Sequence, residues 1–192
     1  MAALASLPPI SSLRAVDDGT LKSVLDVLFE PSPEIHSLVI PKIRDPNLPL
    51  ASYASLIEYI GSTVSQLTQS PTTPEKRAKL HGILGSHPRL GARKVESAQS
   101  QAEQAHLNVP APPGSSKEEE AARLQVLNEE YEARFPGLRY VVFVNGRSRD
   151  TIMQDMRERI DRGDIAAEEK EAIQAIVNIA LDRASKFRVL TN

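Results

Sequence analysis

His87 stands directly before Pro88 in the segment "SHPRLG". A proline pushes the residue before it out of the α region, so His87 sits at the entrance of a turn, with its side chain free to reach a cleft. Imidazole is the side chain best matched to moving protons near neutral pH. A surface or helix-capping histidine is the commoner occupant of such a turn, so residue type alone does not make a site. Ser100, Glu103 and Gln104 follow at i, i+3 and i+4. On a helix these positions share one face. A hydroxyl, a carboxylate and a carboxamide side by side could hold a small polar ligand by several hydrogen bonds. Ser-x-x-Glu is also the pattern of a capping box, and spacing alone leaves both readings open.

Arg183 is a third candidate, in "IALDRASKF" at the edge of an apolar stripe. Its guanidinium could fork onto a carboxylate or a ureido oxygen; an exposed arginine near an acidic residue is the more usual case. Other chemistries lack their residues. The histidines at 36, 81, 87 and 106 show no HExxH or similar ligand spacing, so no metal site is expected. There is no phosphate-binding glycine loop of either common type, and "GSTVS" at Gly61 is not a nucleophile elbow. The absence of cysteine removes thiol nucleophiles, disulfides and thiolate metal sites. A formal net charge of −2 argues against a phosphate-backbone footprint, so nucleic acid is not an expected partner. No apolar run approaches the ~20 residues a membrane span needs. The start, "MAALASLPPISSL", lacks the pattern of a secretory signal. The end, "VLTN", matches no peroxisomal tripeptide, which leaves the cytoplasm as the default compartment and the peroxisome without its usual address.

The elements that must position these residues read as helices. The chain has 192 residues, enough for one domain with its own core. Only 4% of them are aromatic, so the core is expected to be Leu, Ile, Val and Ala. Residues 1–18 read as an extended lead-in and 19–192 as one helical domain. "TLKSVLDVLFE" is a first helix, with Thr20 as its cap and Leu21, Val24, Leu25 and Leu28 on one face. Ser32-Pro33 opens a second, which Pro41 is expected to stop. Leu56, Ile60, Val64 and Leu67 mark a third, and Thr73-Pro74 opens a fourth that ends near Gly82–Gly85. A further helix is expected over Ser97–Leu107, then a Pro-rich loop. "KEEEAARLQVLNEEYEARF" follows, with Leu124, Leu127 and Tyr131 on one side and Glu118–Glu120 as a solvated start. "RYVVFV" looks β-like but has no partner strand, and reads as a buried extended connector ended by Asn145-Gly146. Two more helices close the chain, one capped by Ser148 and ended by Gly163, the other with Ile173, Ile176, Val177 and Ala180 as its apolar side. The fold class is therefore all-α: a single-domain bundle of about seven to eight helices with one short extended connector.

Six segments, "HPRLG" (87–91), "SQAEQ" (100–104), "LNEEY" (127–131), "YVVFVNG" (140–146), "MRERI" (156–160) and "IALDRA" (179–184), stand in one order along the chain. In that order the sequence resembles the OHCU decarboxylases, the 2-oxo-4-hydroxy-4-carboxy-5-ureidoimidazoline decarboxylases of urate degradation. The His-Pro with Ser-x-x-Glu-Gln is the specific pair; each later segment is weak alone. The resemblance implies an all-helical fold, often dimeric, and cofactor-free decarboxylation of a small ureidoimidazoline to (S)-allantoin. It further implies His87 and Glu103 as catalytic residues, with Pro88, Ser100, Gln104, Val142, Phe143, Val144 and Arg183 binding substrate. A homodimer is compatible with it. The alternative from a different class is a helical interaction module that keeps this fold without the activity.

Overall fold

In a computed structural model, residues 6–69, 71, 73–91, 99–101 and 117–187 are described. They form helices and no strand, as the residue pattern predicts. The α-helices among them are α1 (Asp18–Phe29), α2 (Pro33–Arg44), α3 (Tyr53–Ser65), α4 (Pro74–Leu84), α5 (Lys117–Arg134), α6 (Arg149–Arg162) and α7 (Ile165–Lys186). Residues 99–101 are helical as well.

Caps set most of the boundaries. Ser32, Ser52, Thr73, Ser148 and Asp164 each accept a backbone N–H from the first turn of the helix that follows, satisfying donors that have no partner inside the helix. At α1 the cap is Asp17 rather than Thr20; Thr20 lies in the first turn and gives its N–H to the Asp17 carboxylate at 3.0 Å. Pro41 does not stop α2, which runs on to Arg44. Both Pro41 and Ser37, whose carbonyl the missing N–H would have bonded, are exposed. Water can replace that one bond, and the interior is not disturbed. Gly163 ends α6 in the left-handed conformation, at φ 62°.

Helix α7 is the centre of the bundle. It packs against α1, α3 and α4, while α5 and α6 pair with each other. Its apolar face, Ile173, Ile176, Val177 and Ala180, is buried as its periodicity predicts. Gly61 on α3 lets the two helices approach closely, since a Cβ there would collide with Val177. The lead-in packs as well: Leu7 and Leu13 are fully buried on either side of a 3-10 turn at Ile10–Ser12. The core is mainly aliphatic, and three of the eight aromatics form one cluster. Tyr131 lies 5.0 Å from Phe135 and 5.5 Å from Tyr140, centroid to centroid.

That cluster lies where the extended connector, residues 138–144, crosses the bundle without a partner strand. Side chains do the work a sheet would have done. Arg159 gives one N–H to the Val141 carbonyl (3.4 Å), and its guanidinium stacks on the Tyr140 ring at 4.8 Å. The Tyr140 hydroxyl bonds Asp155 and the Ile152 carbonyl. Arg147 gives an N–H to the Phe143 carbonyl at 2.7 Å. Behind them Glu168, with no exposed surface, accepts from Arg159 and from the Tyr131 hydroxyl. Burial, with Glu168 alongside, holds the Tyr131 phenol well above its usual range.

Candidate active site

Helix α4 ends where Gly85 gives its N–H to the His81 carbonyl at 2.8 Å. The chain then turns into "HPRLG", which is tied to α5 at two points. Asn128 donates to the Leu90 carbonyl at 3.1 Å, and Arg89 forks onto Glu132 with bonds of 2.6 and 2.8 Å. Gly91, at φ 75°, sits so close to Leu124 that a side chain would not fit. The "LNEEY" segment thus carries the anchors: Asn128 for this turn and Tyr131 for the network under the connector. From the connector side, Arg139 donates to the His87 carbonyl at 3.2 Å.

These anchors place the His87 ring inside the protein, 5% exposed. Its Nε2 is buried and has no hydrogen-bond partner among the described residues. The other described histidines differ: His36 bonds Asp26 at 2.6 Å and His81 bonds Glu169 at 2.9 Å. Burial, reinforced by Arg183 and opposed by Glu30, pushes the His87 pKa down to about 4. The ring is therefore neutral at physiological pH and can accept a proton. Orphaned buried polar atoms are rare, and perturbed titratable groups of this kind cluster at functional sites.

The charges beside His87 belong to one buried cluster. Glu30 and Arg183, each 2% exposed, pair at 2.6 Å. Ser100, 3% exposed, donates to Glu30 at 2.7 Å and accepts from Arg183 at 3.0 Å. The other guanidinium nitrogen of Arg183, Nη1, faces the carbonyls of Val27 and Leu28 at 3.2 and 3.5 Å. Two of the residues singled out from sequence, Ser100 and Arg183, thus meet in this cluster, and a third, His87, lies close enough to feel its charges. Pro88 continues the turn, half-buried. Glu103 and Gln104 lie outside the described residues. On the connector, the carbonyls of Phe143 and Val144 are taken by Arg147. Among the described residues, none bonds the backbone of Val142 or the N–H groups of Phe143 and Val144. An open surface cleft of about 460 Å³ lies nearby, between His81, Gly85, Glu132, Gly137 and Arg139. The His87 ring is not among its walls, and the cleft is not the site built here.

A family model described as OHCU decarboxylase matches residues 14–185. The chain belongs to the OHCU decarboxylase family. A search of curated proteins returned no match. Membership makes the chain a decarboxylase of urate degradation, hence a lyase, with a small-molecule substrate. No helix among the described residues is long and apolar enough to cross a membrane. The match also covers Glu30, a residue of the buried cluster that sequence reasoning did not pick out. A signal was present in "FEPSP": an acidic residue at the C-terminal end of a helix, where the dipole disfavours it.

A buried neutral histidine has a measurable consequence for this decarboxylase. Its folded pKa lies below its unfolded value, so between pH 6.5 and about 4 the unfolded chain binds a proton that the folded chain does not. Stability from this group is present above that window and lost as pH falls through it, by ~3 kcal/mol in all. Urea unfolding at pH 7 and at pH 4.5 should show a larger loss for the wild type than for His87→Asn. Equal losses would mean that His87 is not buried in its neutral form.

Proposed function

We propose that the protein decarboxylates 2-oxo-4-hydroxy-4-carboxy-5-ureidoimidazoline to (S)-allantoin, with His87 as the proton-transfer group and no cofactor. The observation that carries this reading is the His87 ring: buried, neutral, with an unpartnered Nε2, beside the Glu30–Arg183–Ser100 cluster. The substrate holds its carboxylate on a ring carbon that also bears a hydroxyl, next to a C=N bond. As the bond to the carboxylate breaks and CO2 leaves, its electron pair forms a C=C bond, and the C=N pair moves onto nitrogen, which takes a proton that comes, in net, from solvent. The substrate is thus its own electron sink, and the protein need only position groups and move protons.

The resulting enol must then lose its hydroxyl proton and gain one on the neighbouring carbon. A neutral imidazole accepts the first and, as imidazolium, returns it to one face of that carbon. Delivery from one side makes the product a single enantiomer. Ser100 and Arg183 are assigned to the substrate's polar groups. Since both terminal nitrogens of Arg183 are engaged within the protein, it acts on the substrate carboxylate through its charge more than through a free fork. Glu103 and Gln104 are assigned to orienting His87 and to the ureido group, and the backbone of Val142–Val144 to the rim of the pocket. Pro88 sets the entry of the turn.

The test generates the unstable substrate in place, from urate with urate oxidase and hydroxyisourate hydrolase, and follows chiral allantoin by circular dichroism. Spontaneous decay yields racemic product, so the expected result is faster, enantioselective formation that scales with protein concentration. No acceleration at high protein concentration would sink the proposal.

A further inference from the structure

Glu30 combines two features that local preference opposes. It is the C-cap of α1 at φ 69°, in a region that residues with side chains rarely adopt. It also sets a carboxylate at the negative end of the helix dipole. Such strain persists where surrounding contacts over-determine it, and it clusters at functional sites. Here those contacts are the Ser100 hydroxyl and the Arg183 guanidinium, both on Oε1 of a side chain 2% exposed. The same end of α1 supplies the carbonyls of Val27 and Leu28 to Arg183.

We propose that Glu30 is a positioning residue of the decarboxylase: its carboxylate fixes the Ser100 hydroxyl and the Arg183 guanidinium where they meet the substrate. The assignment rests on the decarboxylase reading above. Glu30 acts through Ser100 and Arg183, its partners among the described residues, and touches neither the reacting carbon nor the departing carboxylate. The positive-φ backbone at residue 30 carries a side chain that is buried, and "FEPSP" follows it with a proline that fixes the exit of the chain.

The experiment uses Glu30→Gln, which removes the charge but keeps an oxygen. Glu30→Asp keeps the charge but withdraws it by one methylene, and serves alone if the first variant does not fold. Both should lower kcat at least tenfold while the far-ultraviolet circular dichroism spectrum is kept. Joining Glu30→Gln, or Glu30→Asp in its place, to Arg183→Met should cost no more turnover than the worse single change, because the two residues act as one unit. Losses that multiply would overturn the assignment. A second measurement does not depend on turnover. The terminal NH2 groups of Arg183 should give separate, slowly rotating signals in nitrogen-15 spectra of the wild type, and these should average in the Glu30 variants, with the Arg159 signals as an internal control. Unchanged Arg183 signals would also overturn it. A wild type that fails to decarboxylate would remove the function but leave this measurement to decide what Glu30 does.

Discussion

His87→Asn should fold normally and lose about 10²–10⁴-fold in kcat/KM, the usual range for removing a general acid–base group. Asparagine keeps a planar polar group of similar reach. Because the wild-type ring is neutral, the substitution does not change the charge of the interior. What disappears is the unprotonated imidazole nitrogen that takes the substrate's proton. The loss should fall mainly on kcat, since an interaction made only as the proton moves contributes to the transition state and not to the bound ground state. Some acceleration over the spontaneous reaction should survive, because the Glu30–Arg183–Ser100 cluster is untouched and can still orient the substrate. Steady-state rates with substrate generated in place, beside a thermal melt of the same preparation, give both numbers. Turnover within tenfold of wild type would remove His87 from the chemistry.

The sequence made the scaffold legible wherever the deciding contacts are local. Ser32, Thr73 and Ser148 cap the helices they precede, and the stripes at Leu21–Leu28 and Ile173–Ala180 face the core. "RYVVFV" was readable as a connector because a lone β-like run has nothing to pair with. Its anchorage was not, since it depends on Arg159, Glu168 and Asp155, which look like ordinary solvated charges in "QDMRERI" and "AAEEK". The Arg159–Glu168 pairing crosses from one helix to another, where no i, i+4 rule reports it; Arg159 and Asp155 are an i, i+4 pair, but that spacing does not show that Asp155 also takes the Tyr140 hydroxyl. Glu120 shows the same limit: within an acidic run that reads as a solvated start, it is buried and meets Arg149 at 3.6 Å. The candidate site, as proposed, divides in the same way. His87 was visible through the proline after it and Ser100 through its spacing. Glu30 was hidden because its partners lie far along the chain, at Ser100 and Arg183. Pro41 misled because a proline's cost in a helix depends on whether the lost bond faces water, and that is a tertiary fact.

Arg159→Met should be the most damaging single change to stability, lowering it by about 3–5 kcal/mol. The substitution keeps much of the aliphatic volume but strips Glu168, which has no exposed surface, of its main counter-charge. Arg162 cannot take over: it reaches Glu168 at 3.3 Å from a side chain 37% exposed, and it already pairs with Glu171 at 2.6 Å. The connector suffers too, losing the donor to the Val141 carbonyl and the cation over Tyr140. For a chain of this length, about 2–4 °C per kcal/mol implies a fall in Tm of ~6–20 °C. The decisive comparison is the double variant Arg159→Met/Glu168→Met. If the cost comes from an uncompensated buried charge, removing the carboxylate as well should recover most of the loss. What stays lost, about 1–3 kcal/mol, belongs to the Tyr131 hydroxyl left without its acceptor and to the Val141 and Tyr140 contacts of Arg159. A double variant no more stable than Arg159→Met would instead place the cost in packing around Tyr140. The connector would then be held by its aromatic contacts and not by the ion pair beneath it.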